Sequence, residues 1–183
     1  LYGNIYVNDE KVREPVRQID SRAEVEIRLK KYVSRGGYKL DGALEEWGID
    51  CRNKIFIDAG SSTGGFTDCL LQRGAALVYS VDVGFNQLDF SLRNNERVRV
   101  HEKCNIMDME EPDPQPHMGV ADLSFRSIGG AASKIVDLTS EKKLIALIKP
   151  QFEIEASDDF KGVIKDPAQW RSVLLDVCKS LFK

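Results

Sequence analysis

No two cysteines of this chain stand in a C-x-x-C spacing. Cys51, Cys69, Cys104 and Cys178 are scattered, which indicates neither a zinc ribbon nor a disulfide framework. Cys69 and Cys178 fall among apolar residues at helical spacing and read as buried, reduced thiols. Histidine is scarce as well. His101 and His117 have no clustered ligands beside them, so a metal site is not expected. No apolar run approaches the ~18 residues needed to cross a membrane. No secretory leader precedes the first predicted strand. The expectation is a cytoplasmic protein without a membrane partner. The sequence starts at Leu1 rather than Met and reads as a fragment.

What is present is an ordinary globular composition. The 183 residues are 42% hydrophobic and 30% charged, enough for one domain and an appendage. The net charge of −3 conceals an asymmetry. Residues 1–39 hold nine Lys/Arg and six Asp/Glu, whereas the remainder holds seventeen and twenty-three. A basic leader on an acidic body fits an RNA-facing arm, and it equally fits ordinary surface charge. Residues 2–8 and 24–28 alternate apolar and polar, as short half-solvated strands do. Asn8–Lys11 and Ile19–Ser21 read as turns. Residues 1–30 are too few for a core of their own. A linker, Leu29 to Arg35, and the run Gly36-Gly37-Tyr38-Lys39 lead into a helix predicted from Leu40 to Trp47. Residues 31–53 thus form a linker and first helix, and residues 54–183 the main domain.

The densest information lies between Lys54 and Asp82. The apolar run Ile55–Ile57 ends in Asp58, and a glycine-rich turn follows, Gly60 to Gly65. Phe66, Cys69, Leu70 and Leu71 then recur at helical spacing, Gly74 closes the helix, and Leu77–Val81 ends in Asp82. Strand, glycine turn, helix, strand and terminal carboxylate are the first unit of a nucleotide-binding α/β sheet. The turn has no lysine, which excludes the G-x-x-x-x-G-K-[ST] phosphate loop. Its glycines read G-x-x-x-G-G rather than the dinucleotide G-x-G-x-x-G. Gly60 permits a positive φ, and Gly64 and Gly65 allow close backbone approach. Asp82 is placed to accept hydrogen bonds from ribose hydroxyls. An adenosyl ligand without a pyrophosphate fits, and S-adenosylmethionine is the obvious one.

Further strands are predicted near 97–101, 119–122 and 143–148, with helices near 65–73, 87–93 and 127–138. Pro112, Pro114 and Pro116 force a loop. Asp166-Pro167 starts a last helix, about 167–182. The alternation argues for a parallel, doubly wound sheet that continues past Lys183. In such a sheet the first and fourth strands are adjacent and the fifth lies beside the fourth. Lys39, Asp122 and Lys149 then converge on one rim with the glycine turn. Each could be a solvated terminus; together they form a proton-handling set. Methyl transfer from a sulfonium to a ribose hydroxyl needs such a set, since the hydroxyl is a poor nucleophile until its proton leaves. A lysine relieved of its proton can act as base, and positioning supplies much of the rate. Cytosine carbon methylation is disfavoured, because no cysteine follows a proline or ends the fourth strand. Base amino methylation commonly uses N/D-P-P-Y where this chain has D-L-S-F. Phe125 in that motif is either a base-stacking ring or a core aromatic.

Four segments resemble the TlyA, or hemolysin A, family of FtsJ-like methyltransferases: Tyr32–Leu40 (Y-V-S-R-G-G-Y-K-L), Asp58–Ala75, Val78–Gly84 and Lys149–Glu153 (K-P-Q-F-E). The resemblance implies a Rossmann-like, S-adenosylmethionine-dependent methyltransferase sheet, with residues 1–30 as the C-terminal part of an alpha-L RNA-binding module. It implies 2′-O-methylation of cytidines in ribosomal RNA of the ribosomal subunits. It implies a Lys-Asp-Lys-Glu tetrad whose first three members match Lys39, Asp122 and Lys149, the glutamate lying beyond Lys183. The residues expected to hold the donor are Asp58, Gly60, Ser61, Ser62, Gly64, Gly65, Phe66, Asp82, Val83, Asn105 and Ile106. Two departures stand out: Arg126 where the family has an apolar residue, and a loop at Glu155–Lys161 unlike the family's basic stretch. A cytolysin and a non-catalytic RNA-binding factor are the competing readings. The first has no membrane-crossing run or leader to support it; the second shares the fold.

Overall fold

The structure is a computed structural model that describes residues 5–14, 16–27, 30–124, 127–154, 164 and 166–181. At the N-terminal end, β1 (Ile5–Val7), β2 (Glu10–Lys11) and β3 (Val25–Ile27) form an antiparallel sheet in the order β2-β1-β3. The turn is shorter than the sequence suggests. Only Asn8 and Asp9 make it, both with positive φ, while Glu10 and Lys11 pair with β1. Asn and Asp tolerate that conformation best among residues with a side chain. Residues 2–4 and 28 of the predicted strands lie outside the described residues.

The main sheet holds β4 (Ile55–Ala59), β5 (Leu77–Asp82), β6 (Val98–Glu102), β7 (Met118–Ala121) and β8 (Lys143–Ala146). All pairings are parallel, in the order β6-β5-β4-β7-β8. The expected adjacency of first to fourth and fourth to fifth strands is present. Helices α1 (Arg35–Glu46), α2 (Gly65–Gln72), α3 (Phe90–Arg93), α4 (Ile128–Leu138) and α5 (Pro167–Leu181) flank it. Strand alternation sorts the core into two layers. Phe56, Val78, Met118 and Val120 face Leu40, Leu44, Phe66 and Leu70 of α1 and α2. Ile57, Tyr79, Val81 and Ala121 face Ala131 and Ile135 of α4 and Val173 and Val177 of α5. Both faces of the central strands are thus buried, as parallel sheets require. Each large apolar side chain removed from water contributes roughly 1.5–3 kcal/mol. Gly119 lets α4 lie close: a Cβ there would come within 2.2 Å of Ile135 Cγ2.

Two expectations are corrected. Helix α1 starts at Arg35 rather than Leu40, so Gly36 to Lys39 belong to the helix itself rather than to the run that leads into it. The glycines serve packing. A Cβ on Gly37 would lie 2.4 Å from the Tyr32 ring, which is 2% exposed. Cys69 is buried, but Cys178 is exposed. Helix α5 buries only Val173 and Val177, and the next residue along points about 100° away. Asp166 does cap α5, its Oδ1 accepting from Ala168 N at 2.9 Å. Residue 182 of that predicted helix is outside the described residues.

Candidate active site

The carboxyl ends of β4, β5, β7 and β8 share one edge, and the polar side chains gather there. After β4 the chain reverses at Gly60, φ +82°. The amides of Gly60 and Ser61 both donate to Val81 O, at 2.8 and 3.1 Å, which pins the turn to β5. A Cβ on Gly60 would meet Asp122 O at 2.8 Å. At Gly64, φ +94°, a Cβ would sit 2.3 Å from Leu92 Cδ1. At Gly65 it would sit 2.1 Å from Ser34 Oγ and 2.9 Å from Gly37 N. The glycine pattern is therefore a steric requirement, met on three sides by β7, α3 and α1.

Asp82 ends β5 with each carboxylate oxygen anchored. Oδ2 accepts from Ser62 N and Oδ1 from Gly84 N, both at 2.7 Å. Beside it opens a cavity of about 740 Å³, lined by Gly60, Ser62, Asp82, Val83, Asn105, Ile106, Asp122 and neighbours. Ile106 is buried, whereas Val83 is exposed. Asn105 caps the turn Ile106–Asp108, accepting from Met107 N at 3.1 Å. A second cavity, of about 210 Å³, adjoins it. Ser34, Gly36, Ser61, Phe66, Asp122, Ser124 and Lys149 are among its walls.

Asp122 and Lys149 meet between the two cavities. Lys149 Nζ lies 2.6 Å from Asp122 Oδ1, both side chains about one-fifth exposed (20% and 24%). Nζ also donates to Ser124 Oγ at 2.7 Å. Among the described residues, buried Oδ1 accepts no hydrogen bond of good geometry, so Asp122 and Lys149 are joined chiefly by charge. Four residues on, Glu153 closes the loop from β8. It accepts from Ser127 Oγ at 2.6 Å and Ile128 N at 2.9 Å, a carboxylate at the start of α4 where the helix dipole favours it.

Lys39 lies elsewhere. It is exposed on α1, lines neither cavity, and has no hydrogen bond or ion pair among the described residues. Asp58 is wholly buried beneath the turn and lines neither cavity. Its Oδ2 accepts from Thr67 Oγ1 at 2.7 Å, and Thr67 Oγ1 is 2.6 Å from Ser80 Oγ. Its Oδ1 accepts no hydrogen bond among the described residues. Burial pushes this carboxyl up to about 7, the charges of Asp122 and Asp82 adding to the rise while Thr67 opposes it. Phe125, Arg126 and Glu155–Lys161 lie outside the described residues. Sequence reasoning missed Ser34, Gly84, Cys104, Ser124 and Gln87, which line the cavities. Ser34 was legible, since serine before a helix start is an N-cap signal. Ser124 was legible too, standing two residues past Asp122.

The arrangement suits an adenosyl donor. An anchored carboxylate, the glycine turn at Gly60 and Ser62, and the capping Asn105 converge on one cavity. Among the described residues no three His, Cys, Asp or Glu side chains group to hold a metal, and no helix is long and apolar enough to cross a membrane.

Known proteins agree with this architecture. The family model for FtsJ-like methyltransferases matches residues 32–178. Hemolysin A of Brachyspira hyodysenteriae is 45% identical over 172 residues, which are 91% of this chain and 72% of that protein. The 16S/23S rRNA (cytidine-2′-O)-methyltransferase TlyA of Mycobacterium tuberculosis is 44% identical over 148 residues, 78% of this chain and 55% of that one. A solved structure of a hemolysin-family protein from Streptococcus thermophilus superposes with a TM-score of 0.75 at 36% identity, covering 98% of this chain and 68% of the other. The chain spans only part of each relative's length. It belongs to the FtsJ-like methyltransferases, in the group that carries the names TlyA and hemolysin A.

Proposed function

We propose that this protein transfers a methyl group from S-adenosylmethionine to a ribose 2′-hydroxyl of ribosomal RNA, on a cytidine. The observation that carries the reading is the Asp122–Lys149 pair, 2.6 Å apart, beside a glycine turn with an anchored Asp82. The Mycobacterium tuberculosis relative, named as an rRNA (cytidine-2′-O)-methyltransferase, supports the acceptor.

Asp82 would hold the ribose hydroxyls of the donor, Gly60, Ser61, Ser62, Gly64 and Gly65 its amino-acid end, and Val83, Asn105 and Ile106 its adenine. Asp58 and Phe66 would support the turn from below. When bound, S-adenosylmethionine supplies an electrophilic methyl on a sulfonium. Lys149 Nζ would take the hydroxyl proton after handing one of its own to Asp122 Oδ1, 2.6 Å away, so that the pair ends as ammonium and carboxylic acid. Asp122 and Ser124 hold Nζ in place, so the lysine has one orientation rather than many, and positioning replaces entropy otherwise lost in the reaction. Lys39, one helix away, would meet the RNA rather than the proton. In domain terms, residues 1–30 belong to an RNA-binding module, residues 31–53 form the linker and first helix, and residues 54–183 form the catalytic unit.

Tritiated methyl transfer to ribosomal subunits lacking the modification tests this, with Lys149→Ala as control. Label on a cytidine 2′-oxygen, lost in the variant, is the expected result. Label on a base, or none despite demonstrated donor binding, overturns it.

A further inference from the structure

We propose that Phe85 and Phe90, with Lys103, form a stacking platform for single-stranded RNA on the chain segment that borders the donor cavity. The inference rests on the RNA reading above and adds the surface that receives the flanking bases. Phe85 is 65% exposed and Phe90 80% exposed. Phe85 lies on the connection from β5 to α3 and Phe90 is the first residue of α3, and Val83, Gly84 and Gln87 of that connection line the large cavity. The exposure is not a shortage of core. Leu88 and Leu92, interleaved with the phenylalanines, are 6% and 4% exposed and pack over Gly64. The segment turns its aliphatic side chains inward and leaves two aromatic rings in water.

The Phe85 ring and the backbone that carries Phe90 are held in place. Lys103 Nζ stands 4.3 Å from the Phe85 ring centroid. The Lys103 amide donates to Gly84 O at 3.0 Å, so cation and ring are carried by neighbouring strand ends. Phe90 opens α3 behind Asp89, whose carboxylate accepts from Ser91 N and Ser91 Oγ at 2.9 and 2.6 Å. The Asp89 amide donates to Thr63 O of the glycine turn at 3.2 Å. The platform is thereby fastened to the donor turn itself. Of the other charges nearby, Arg93 and Glu102 neutralise each other as an ion pair. Lys103 is left as the cation that faces outward.

An aromatic face takes any base, and a lysine beside it takes a phosphate. That pairing of groups is how single strands are held without sequence readout. A protein partner would favour a continuous apolar patch. Here the rings are separated by Asn86, Gln87 and Asp89 in a polar segment.

The test is fluorescence anisotropy of a labelled unstructured RNA 12-mer and of an abasic RNA of the same length. Phe85→Leu, Phe90→Leu and Lys103→Ala are compared with the unaltered protein. Donor titration and thermal melting serve as folding controls, and leucine keeps the sites apolar. Each phenylalanine variant is expected to weaken ordinary RNA by about 5-fold to 100-fold and abasic RNA hardly at all. Lys103→Ala is expected to lower the slope of log affinity against log salt by about 0.7. Unchanged RNA affinity in folded variants, with the unaltered protein binding RNA, overturns the platform and leaves the proposed reaction standing. Variants that alter self-association in sedimentation, and not RNA affinity, overturn it in favour of a contact between copies. Failure of the unaltered protein to bind or methylate any RNA overturns the platform together with the reaction.

Discussion

The two halves of the strand-end edge are made of different material. On the β4–β5 side the backbone does the holding. Amides of Ser62 and Gly84 fix both oxygens of Asp82 at 2.7 Å, and three glycines fill spaces that admit no β-carbon. On the β7–β8 side, side chain holds side chain. Lys149 is suspended between Asp122 and Ser124. A site made of backbone has one shape and suits the part of a reaction that is common to a whole family. A site made of side chains can shift protons and tolerates adjustment.

The difference predicts separable losses. Lys149→Ala should cut single-turnover methyl transfer by roughly 10²–10⁴-fold while leaving donor affinity, measured by calorimetry, within a few-fold. A parallel loss of donor affinity would erase the distinction between the halves. Gly60→Ala should break both halves at once. Its Cβ enters a left-handed backbone position and meets Asp122 O at 2.8 Å. We expect about 2–5 kcal/mol less stability in urea and donor binding weaker by roughly two orders of magnitude. Asp82→Ala should do the reverse of Lys149→Ala. It releases two amides from a charged acceptor, and the donor dissociation constant should rise about 10- to 100-fold, with the transfer step little changed at saturating donor.

The last effect concerns Asp58 and falls on stability rather than on either half's binding. Its folded carboxyl is raised to about 7 from an ordinary 3.8, so the native state binds the proton more tightly than the unfolded chain. The stability this contributes is full below about pH 4 and is lost as pH rises through about 7. Asp58→Asn, measured by denaturation between pH 4 and 8, should therefore gain on the unaltered protein as pH rises. Parallel curves would show that Asp58 does not titrate in that window.

The same contrast governs what the sequence disclosed. The backbone-built half is contiguous: strand, turn, helix and strand follow one another from Lys54 to Asp82. Local rules, such as positive φ at glycine and a carboxylate at a strand end, suffice to read it. Asp122 and Lys149 lie far apart in sequence and become neighbours only through the order β4-β7-β8, which the β-α alternation predicted. Three features were hidden because they depend on packing across elements. Gly36 and Gly37 read as lying ahead of the helix, because nothing local says that Tyr32 and Gly65 crowd them. Cys178 looked apolar by spacing, yet only two residues of α5 are covered. Asp58 looked like a ligand contact, but the two-residue strand period puts it on the Phe56 face. There Thr67 and Ser80 enclose it.

Gly60 sits where the two halves touch, with no room for a Cβ beside the Asp122 carbonyl. For a geneticist this makes it a position without a mild allele. Every missense change of a glycine codon adds at least one carbon, and here that carbon strikes main chain rather than a side chain able to swing away. In a saturation library, codon 60 should appear as a column of uniform loss, while the codons for Asp82 and Lys149 grade with the chemistry of the replacement.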